Sequence, residues 1–272
     1  MYDNIPKIAI PTGKLRCVLE EALNRMGYSY PEGRRLISDP YSFNLKDGTK
    51  KEFCFLVQKP KNSPELLQKG EANIIAGISG NDCYIECLKM KINGNIEENY
   101  QNGLKRRGLE ELANLGFRPA NVVLATHKNL PVNSLEKFIR RYSNGSSVKG
   151  LASEFYNIAR NYVENNSLNV EDIKATEGTT ESYLHGFVEA IIDIAETGET
   201  IRENDGKILG IIFESTPRLV ARKEALKNGC GNFLREFAEK LNVTICQMSK
   251  EQKYEDYFKT KKLKLASERE KS

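Results

Sequence analysis

Apolar and polar positions in the first 80 residues follow strand spacing and helix spacing in turn. A short apolar run at 5–11 ends in a Thr-Gly-Lys turn, and apolar residues then recur every three or four positions over 15–26. Further apolar runs predict strands at 53–57 and 73–78. Between them, proline in a first turn predicts a helix at 63–69. Strands linked by helices favour a parallel arrangement, so the pattern predicts an α/β fold.

The second half of the chain repeats this alternation. Residues 88–107 interrupt it with Lys-, Asn- and Gly-rich sequence, which predicts an exposed insertion. Beyond the insertion the pattern predicts strands at 121–126, 148–152, 191–195, 208–214 and 219–221, and helices at 135–141, 155–165, 180–187 and 233–241. A last apolar run at 243–248 predicts one more strand. The segment 249–272 holds eight Lys/Arg and five acidic residues, which predicts a flexible basic tail.

Composition narrows the class of protein. The chain has 272 residues and a net charge of +4, which lacks the concentrated basic footprint of a nucleic-acid-binding protein. No apolar run approaches the ~18 residues of a membrane span, and the N-terminus does not resemble an export signal. We therefore expect a cytoplasmic protein with no membrane or nucleic-acid partner. Six cysteines without an export signal are expected to be reduced thiols.

The most informative candidate for chemistry is a strand, turn and helix junction at 190–204. Its turn contains Glu196, Thr197, Gly198, Glu199 and Thr200. Glycine lets backbone N–H groups approach an anion, the threonines add hydroxyl donors, and the following helix offers its positive end. The pattern thus fits a phosphate-binding loop. The alternative is a capping box between Thr200 and Glu203 that binds no ligand.

Two earlier junctions are weaker candidates. Gly13 and Lys14 follow the first strand, at the edge where open α/β sheets bind ligands, but the spacing of a Walker loop is missing. The alternative is a turn with a solvated lysine. Gly77 to Asp82 forms a similar junction, in which Asp82 caps the helix or contacts a ligand.

Asp193 and Glu181 are carboxylates suited to accept hydrogen bonds from sugar hydroxyls or to help hold a metal. Each is otherwise a solvated or capping acid. His127 and His185 have no partner at metal-ligand spacing, which argues against zinc. Cys83 and Cys87 lack a second Cys/His pair and are interpreted as core cysteines.

Two long segments, Glu177 to Asn204 and Ile212 to Arg222, resemble the signature region of the ATP phosphoribosyltransferase family. Shorter segments agree in order, and the resemblance covers residues 5–240 apart from the insertion. These shorter segments are Ile8 to Leu15, Gly33 to Leu36, Ala72 to Glu86, Leu109 to Ala125 and Leu151 to Tyr156.

The resemblance implies a two-lobed fold like that of type II periplasmic binding proteins, with mixed, mainly parallel sheets and a cleft between the lobes. Lobe I is expected at 1–119 with the insertion at 88–107, and lobe II at 120–195. Residues 196–248 are expected to return to lobe I and supply a C-terminal helix, ahead of the tail.

The family's reaction opens histidine biosynthesis. Adenine N1 of ATP attacks the anomeric carbon of phosphoribosyl pyrophosphate (PRPP), and pyrophosphate leaves with help from Mg²⁺ held by substrate phosphates. The resemblance places the 5-phosphate on residues 196–200 and the ribose hydroxyls on Asp193 and Glu181. Lys14 joins these two acids as a catalytic residue. Candidates for contacts to ATP or pyrophosphate are Gly13, Lys14, Lys59, Gly77 and Gly80.

The chain departs from the family pattern at three positions. Gln58 stands in place of an arginine, Asn73 in place of an acid, and Glu189 in place of an aspartate. These departures keep an alternative open, in which the chain is a non-catalytic or regulatory paralogue that binds a phosphorylated ligand.

Only 50 residues follow Arg222, and they contain too few apolar residues to build a second core. The chain therefore resembles the family's short form, which lacks the histidine-binding domain and works with a histidyl-tRNA-synthetase-like subunit. We expect at least a homodimer, with feedback inhibition supplied by that separate subunit.

Overall fold

The computed structural model describes residues 2–31, 36–259, 263, 265 and 266. The chain divides into two compact units. Unit 1 consists of Met1–Leu88, Tyr100–Pro119 and Thr216–Lys259, and unit 2 consists of Lys89–Asn99, Ala120–Ser215 and Thr260–Ser272.

The described elements follow in chain order. The first half contains β1 (Lys7–Pro11), α1 (Arg16–Arg25), β2 (Tyr41–Asn44), β3 (Lys50–Gln58), α2 (Ser63–Lys69), β4 (Ile74–Gly80), α3 (Asn81–Cys87), α4 (Ile96–Arg106), β5 (Leu109–Asn114), β6 (Ala120–His127) and α5 (Leu135–Ser143). The second half contains β7 (Leu151–Ser153), α6 (Tyr156–Asn165), β8 (Ile173–Ala175), β9 (Ala190–Ala195), α7 (Glu199–Glu203), β10 (Gly206–Ser215), β11 (Pro217–Arg222), α8 (Lys223–Lys227), α9 (Gly231–Met248) and α10 (Glu255–Phe258).

Unit 1 contains a six-stranded sheet in the order β2-β3-β1-β4-β11-β5. β1 lies between β3 and β4 and is parallel to both, whereas β11 is antiparallel to β4 and β5. Four of these six strands (β1, β3, β4 and β5) therefore run in one direction. Buried aromatic side chains from β3 and α9 pack together on one face, with the rings of Phe53 and Phe233 5.1 Å apart.

Unit 2 contains a five-stranded sheet in the order β10-β6-β9-β7-β8. β7 is parallel to β8 and β9, and β6 is antiparallel to both of its neighbours, β9 and β10. Four of these five strands share one direction. Both sheets are thus mixed with one predominant strand direction, and the predicted α/β class is confirmed.

The return of the chain to unit 1 differs from the expected position. The sequence placed it at residue 196, but α7 and β10 both belong to unit 2, and unit 1 resumes at Thr216. The reason is that β10 pairs with β6 along its whole length, from Gly206 opposite His127 to Ser215 opposite Ala120.

The predicted exposed insertion at 88–107 is wrong. Its C-terminal half forms α4, in which Tyr100 is fully buried and Leu104 is 1% exposed. The Tyr100 ring lies edge-on to Tyr84, and the Arg218 guanidinium lies 5.5 Å from its centre. Ile96, Tyr100 and Leu104 form the apolar face of α4 at a spacing of four residues, and the polar residues between them obscured the helical period.

The predicted strand at 243–248 is also wrong, because α9 continues through it to Met248. Leu241, Ile245 and Met248 keep the helical period and are buried against unit 1. The β-branched Val-Thr-Ile run favoured a strand locally, but packing on the helical face decided the conformation.

The first part of the predicted flexible tail is folded. Glu251 forms an ion pair with Arg25, and Tyr254, Tyr257 and Phe258 pack against the core of unit 1. The tail prediction at 260–262, 264 and 267–272 lies outside the described residues. Throughout the described ranges, every helix falls short of the length and apolar character that a membrane crossing requires.

Candidate functional site

Three carboxylates come together near the carboxyl ends of the parallel strands in unit 2. Asp193 lies in β9, Glu154 follows β7, and Glu181 lies in a 3₁₀ turn at Thr180–Leu184, where the sequence predicted a helix at 180–187. Burial, together with the nearby charges of Glu181 and Glu154 and a hydrogen bond with Glu181, raises the pKa of Asp193 to about 7. The backbone N–H of Ile194 donates to Asp193 Oδ1 at 2.8 Å and opposes this rise.

A carboxyl group with such a pKa is half protonated near neutral pH, and an approaching hydroxyl donor or cation stabilises its anion. The structure thus brings together the two acids that the sequence singled out. Glu154 was missed, although its position directly after a predicted strand was a usable signal.

Asn121 is a second residue that sequence reasoning missed. In the antiparallel pair of β6 and β9, Val123 lies opposite Asp193 and Asn121 lies opposite Ala195. Side chains two residues apart on a strand share a face, so the Asn121 and Asp193 side chains lie on the same face. Asn121 is 3% exposed, and its Nδ2 is buried without a hydrogen-bond partner among the described residues. A buried amide donor of this kind is costly unless a ligand or water satisfies it.

The predicted phosphate loop forms a turn directly after β9. Glu196, Thr197 and Gly198 make the bend, and α7 begins at Glu199. The Glu199 N–H donates to Thr197 Oγ1 at 3.3 Å, and Arg202 Nη1 donates to the Thr197 carbonyl at 2.9 Å. The capping box between Thr200 and Glu203 is not formed, since the residue preceding α7 is Gly198 and no side chain caps it.

The backbone conformation and the packing at position 198 both require glycine. Its φ is +69°, in the left-handed region that favours glycine, and an added Cβ would lie 2.5 Å from Ile208 Cδ1. The missing side chain therefore faces the core of unit 2. The sequence analysis assigned this glycine to close approach of an anion. The structure gives a packing reason for glycine at the same turn.

In unit 1, two loops with candidate lysines follow neighbouring parallel strands. Lys14 follows β1 and Lys59 follows β3, and both side chains are exposed. The Thr12 N–H donates to the Gln58 carbonyl at 2.9 Å, which ties the two loops together. Two lysines at one sheet edge create a positive potential suited to phosphate groups.

The two remaining candidate glycines, Gly80 and Gly77, lie at the end and in the interior of β4. Gly80 ends β4 at this same edge and precedes α3, and Asp82 lies buried in the first turn of that helix. Gly77 lies inside β4, where an added Cβ would come 3.4 Å from Ala9 Cβ, and its carbonyl accepts a hydrogen bond from the Tyr84 hydroxyl. That distance is an ordinary van der Waals contact, so packing at this point would tolerate a Cβ.

Two of the three family departures lie at strand beginnings, away from the candidate sites. Asn73 precedes β4 and donates from Nδ2 to the Asn4 carbonyl, and Glu189 precedes β9 and accepts a hydrogen bond from the Lys149 N–H. Gln58 alone lies at the end of a strand, on β3. Three residues of the predicted basic turn, Gly33, Arg34 and Arg35, lie outside the described residues.

The remaining candidates occupy ordinary positions. His185 Nε2 and Asn204 Oδ1 lie 3.3 Å apart, and His127 Nδ1 accepts from the Asn129 N–H. All six cysteines are free thiols, and Cys83 and Cys87, predicted as core residues, are half-buried. Within the described ranges, no three His, Cys, Asp or Glu side chains are arranged to hold a metal ion.

Known proteins resemble this chain in sequence and in fold. A family model described as ATP phosphoribosyltransferase (HisG) matches residues 59–243. An ATP phosphoribosyltransferase from Caldanaerobacter subterraneus subsp. tengcongensis is 26% identical over 224 residues, which cover 82% of this chain and 90% of the relative. One from Methanocaldococcus jannaschii is 28% identical over 214 residues, which cover 79% of this chain and 61% of the relative.

Solved structures show the same fold. The ATP phosphoribosyl transferase (HisG:HisZ) complex from Thermotoga maritima aligns with a TM-score of 0.65 at 22% identity, covering 89% of this chain and 100% of that one. A periplasmic transporter aligns with a TM-score of 0.55 at 10% identity, covering 98% and 91%. The expected likeness to periplasmic binding proteins is thereby confirmed at the level of fold. Because the family model spans well over half of the sequence, the chain belongs to the ATP phosphoribosyltransferase family, enzymes of the first step of histidine biosynthesis.

Proposed function

We propose that this chain transfers the phosphoribosyl group of PRPP to N1 of ATP and releases pyrophosphate. The observation that carries the proposal is Asp193, a carboxyl with a pKa of about 7 beside Glu181 and Glu154, three residues before a turn of phosphate-loop composition. Family membership supplies the reaction class, and this cluster supplies a place for its sugar substrate.

The phosphoribosyl group is assigned to unit 2. The loop of Glu196 to Thr200 offers backbone N–H groups and two threonine hydroxyls to the 5-phosphate. Asp193 and Glu181 accept hydrogen bonds from the ribose hydroxyls, and the unpartnered Asn121 amide on the same face donates to a substrate oxygen. Ribose binding favours the ionised form of Asp193 and is therefore expected to release a proton.

The phosphates of ATP or the leaving pyrophosphate are assigned to unit 1. Lys14 and Lys59 lie on adjacent loops of unit 1 and offer positive charge to phosphate oxygens. Gly13 and Gly80 stand at the ends of neighbouring strands; Gly13 is exposed there, whereas Gly80 is buried.

We expect Mg²⁺ to enter as a companion of the substrate phosphates. When bound, the ion neutralises charge on the departing pyrophosphate. The chain's own residues position the two substrates for in-line displacement, a contribution worth about 7–11 kcal/mol in well-oriented reactions. Adenine N1 is itself the nucleophile, so no strong general base is required.

We also propose that the chain works in the cytoplasm, at least as a dimer, with a separate regulatory subunit. One observation supports this assembly. The Thermotoga structure is described as a HisG:HisZ complex, and the match covers the whole of the aligned chain.

The proposal is tested by following phosphoribosyl-ATP formation spectroscopically, with purified chain alone and with a histidyl-tRNA-synthetase-like subunit. Parent protein is expected to turn over, and Asp193→Asn is expected to fold but lose turnover, because an amide cannot supply the charge. Undiminished catalysis by a folded Asp193→Asn protein would place the ribose site elsewhere.

The alternative function is ligand binding without turnover. Gln58 favours it, because glutamine at the end of β3 lacks the bidentate positive fork of an arginine. Asn73 and Glu189 no longer favour it, since both lie at strand beginnings with structural hydrogen bonds. Saturable PRPP binding without product, with or without the partner subunit, would select this alternative.

A further inference from the structure

The end of the chain packs behind the phosphate loop. Leu263 is 4% exposed and belongs to the same buried cluster of unit 2 as Ile201 of α7 and Ile208 of β10. Its Cδ2 lies 3.5 Å from the position that a Cβ on Gly198 would occupy. The inner side of the loop therefore rests on Ile208 and Leu263 together.

Leu265 continues this contact along the sheet. It forms a parallel β-bridge with Ile208 and packs against the same cluster. β10 is the outermost strand of its sheet, so the bridge covers part of an edge that would otherwise expose unpaired backbone groups. Ala266, the residue after Leu265, is also buried, with 5% of its surface exposed.

This segment is not part of the matched family region. The family model ends at residue 243, twenty residues before Leu263. The residues that contact the loop from behind thus belong to a C-terminal extension, for which composition alone predicted flexibility.

We propose that Leu263 and Leu265 are positioning residues that hold the loop of Glu196 to Thr200 in its phosphate-binding conformation. The inference rests on the proposed function for its ligand, but its structural part stands on the contacts of Leu263. The hydrogen bonds from the Glu199 N–H and from Arg202 to Thr197 lie within the loop and α7, whereas Ile208 and Leu263 contact the loop from other parts of the chain. Without Leu263, one of the two apolar side chains that lie against the inner side of the loop at Gly198 is missing. The loop then samples conformations that do not bind the 5-phosphate.

The expected effect is a loss of PRPP affinity in particular. A loop that keeps its binding conformation one tenth of the time raises the apparent Kd about tenfold. ATP is assigned to other strands, in unit 1, and its KM is expected to stay unchanged.

The test compares Leu263→Ser with Leu263→Met, which keeps an apolar side chain, and with Val243→Ser. Val243 is 51% exposed on α9 and controls for an apolar-to-serine change away from the loop. Hydrogen–deuterium exchange of residues 196–203 is measured without substrate, and the KM values of PRPP and ATP are measured in the turnover assay. Circular dichroism confirms that each variant is folded.

Faster exchange at 196–203 and about a tenfold rise in the PRPP KM for Leu263→Ser alone support the inference. Unchanged exchange and an unchanged PRPP KM overturn it, as does an equal rise in both KM values with a lowered Tm, which indicates a general loss of stability. If the parent itself neither binds nor uses PRPP, the proposed function fails, and the exchange comparison alone decides whether Leu263 orders the loop.

Discussion

Asp193 combines a buried position with two neighbouring acids, and the consequence is a carboxyl that keeps its proton to about pH 7. Its unfolded-state pKa is near the ordinary value of 3.8. Between these two values the folded state binds more protons than the unfolded state, so stability falls as pH rises. The same group that is proposed to bind ribose therefore destabilises the free protein at neutral pH.

This linkage gives a pH prediction. From pH 4 to pH 7 the Tm of the parent is expected to fall relative to that of Asp193→Asn, which cannot ionise. Thermal unfolding of both proteins across this range measures the difference. Parallel Tm curves would contradict the raised pKa.

Asn121 gives a second prediction at the scale of one residue. Replacing it with leucine removes a buried donor without a partner, whose burial costs about 1–3 kcal/mol. Asn121→Leu is therefore expected to raise the free energy of unfolding while it weakens PRPP binding. Denaturant unfolding and PRPP calorimetry measure the two effects. A variant that loses stability but binds PRPP like the parent would show that the amide serves the fold alone.

At the scale of elements, the turn between β9 and α7 illustrates what a sequence pattern can and cannot assign. The sequence analysis recognised the apolar run, the small polar turn and the helix, and the structure contains all three. The reason for Gly198 was not recoverable, because the side chain of Ile208 that excludes a Cβ lies ten residues further along. The helix α4 was missed for a related reason, since its buried Tyr100 has partners elsewhere in the sequence, Tyr84 of α3 and Arg218 of β11.

Gly198 is consequently a poor probe of ligand binding, since any side chain there disturbs the fold. Thr200 is exposed at the start of α7 and is a better one. Thr200→Val keeps the shape but removes the hydroxyl, and it is expected to weaken PRPP binding about tenfold, in line with the loss of one hydrogen bond to a charged group.

Thr200→Ser keeps the hydroxyl and is the matched control, with affinity expected near that of the parent. Calorimetry with PRPP measures both. Equal affinities for the valine and serine variants would remove Thr200 from the phosphate site.

At the scale of the whole molecule, the chain uses its C-terminal residues to complete its two units. α9 and the turns up to residue 258 pack on unit 1, and Leu263 and Leu265 pack in unit 2. In the proposed function, feedback regulation is assigned to a separate subunit.

The isolated chain is therefore expected to lack a histidine site. Calorimetry of the purified chain with histidine measures this directly, and the same titration with the partner subunit is the positive control. Saturable micromolar binding by the chain alone would contradict the short-form interpretation.

The sequence by itself determined the alternation of strands and helices, the turn after β9 and the pairing of Asp193 with Glu181 as candidate ligands. These features are local, because apolar periodicity and turn composition are set within a few residues. Only the tertiary structure decided that 88–107 contains a packed helix, that 243–248 stays helical and that Leu263 and Leu265 reach the core behind the turn after β9. Each of these depends on a partner distant in sequence, and burial against that partner outweighs the local preference of the segment.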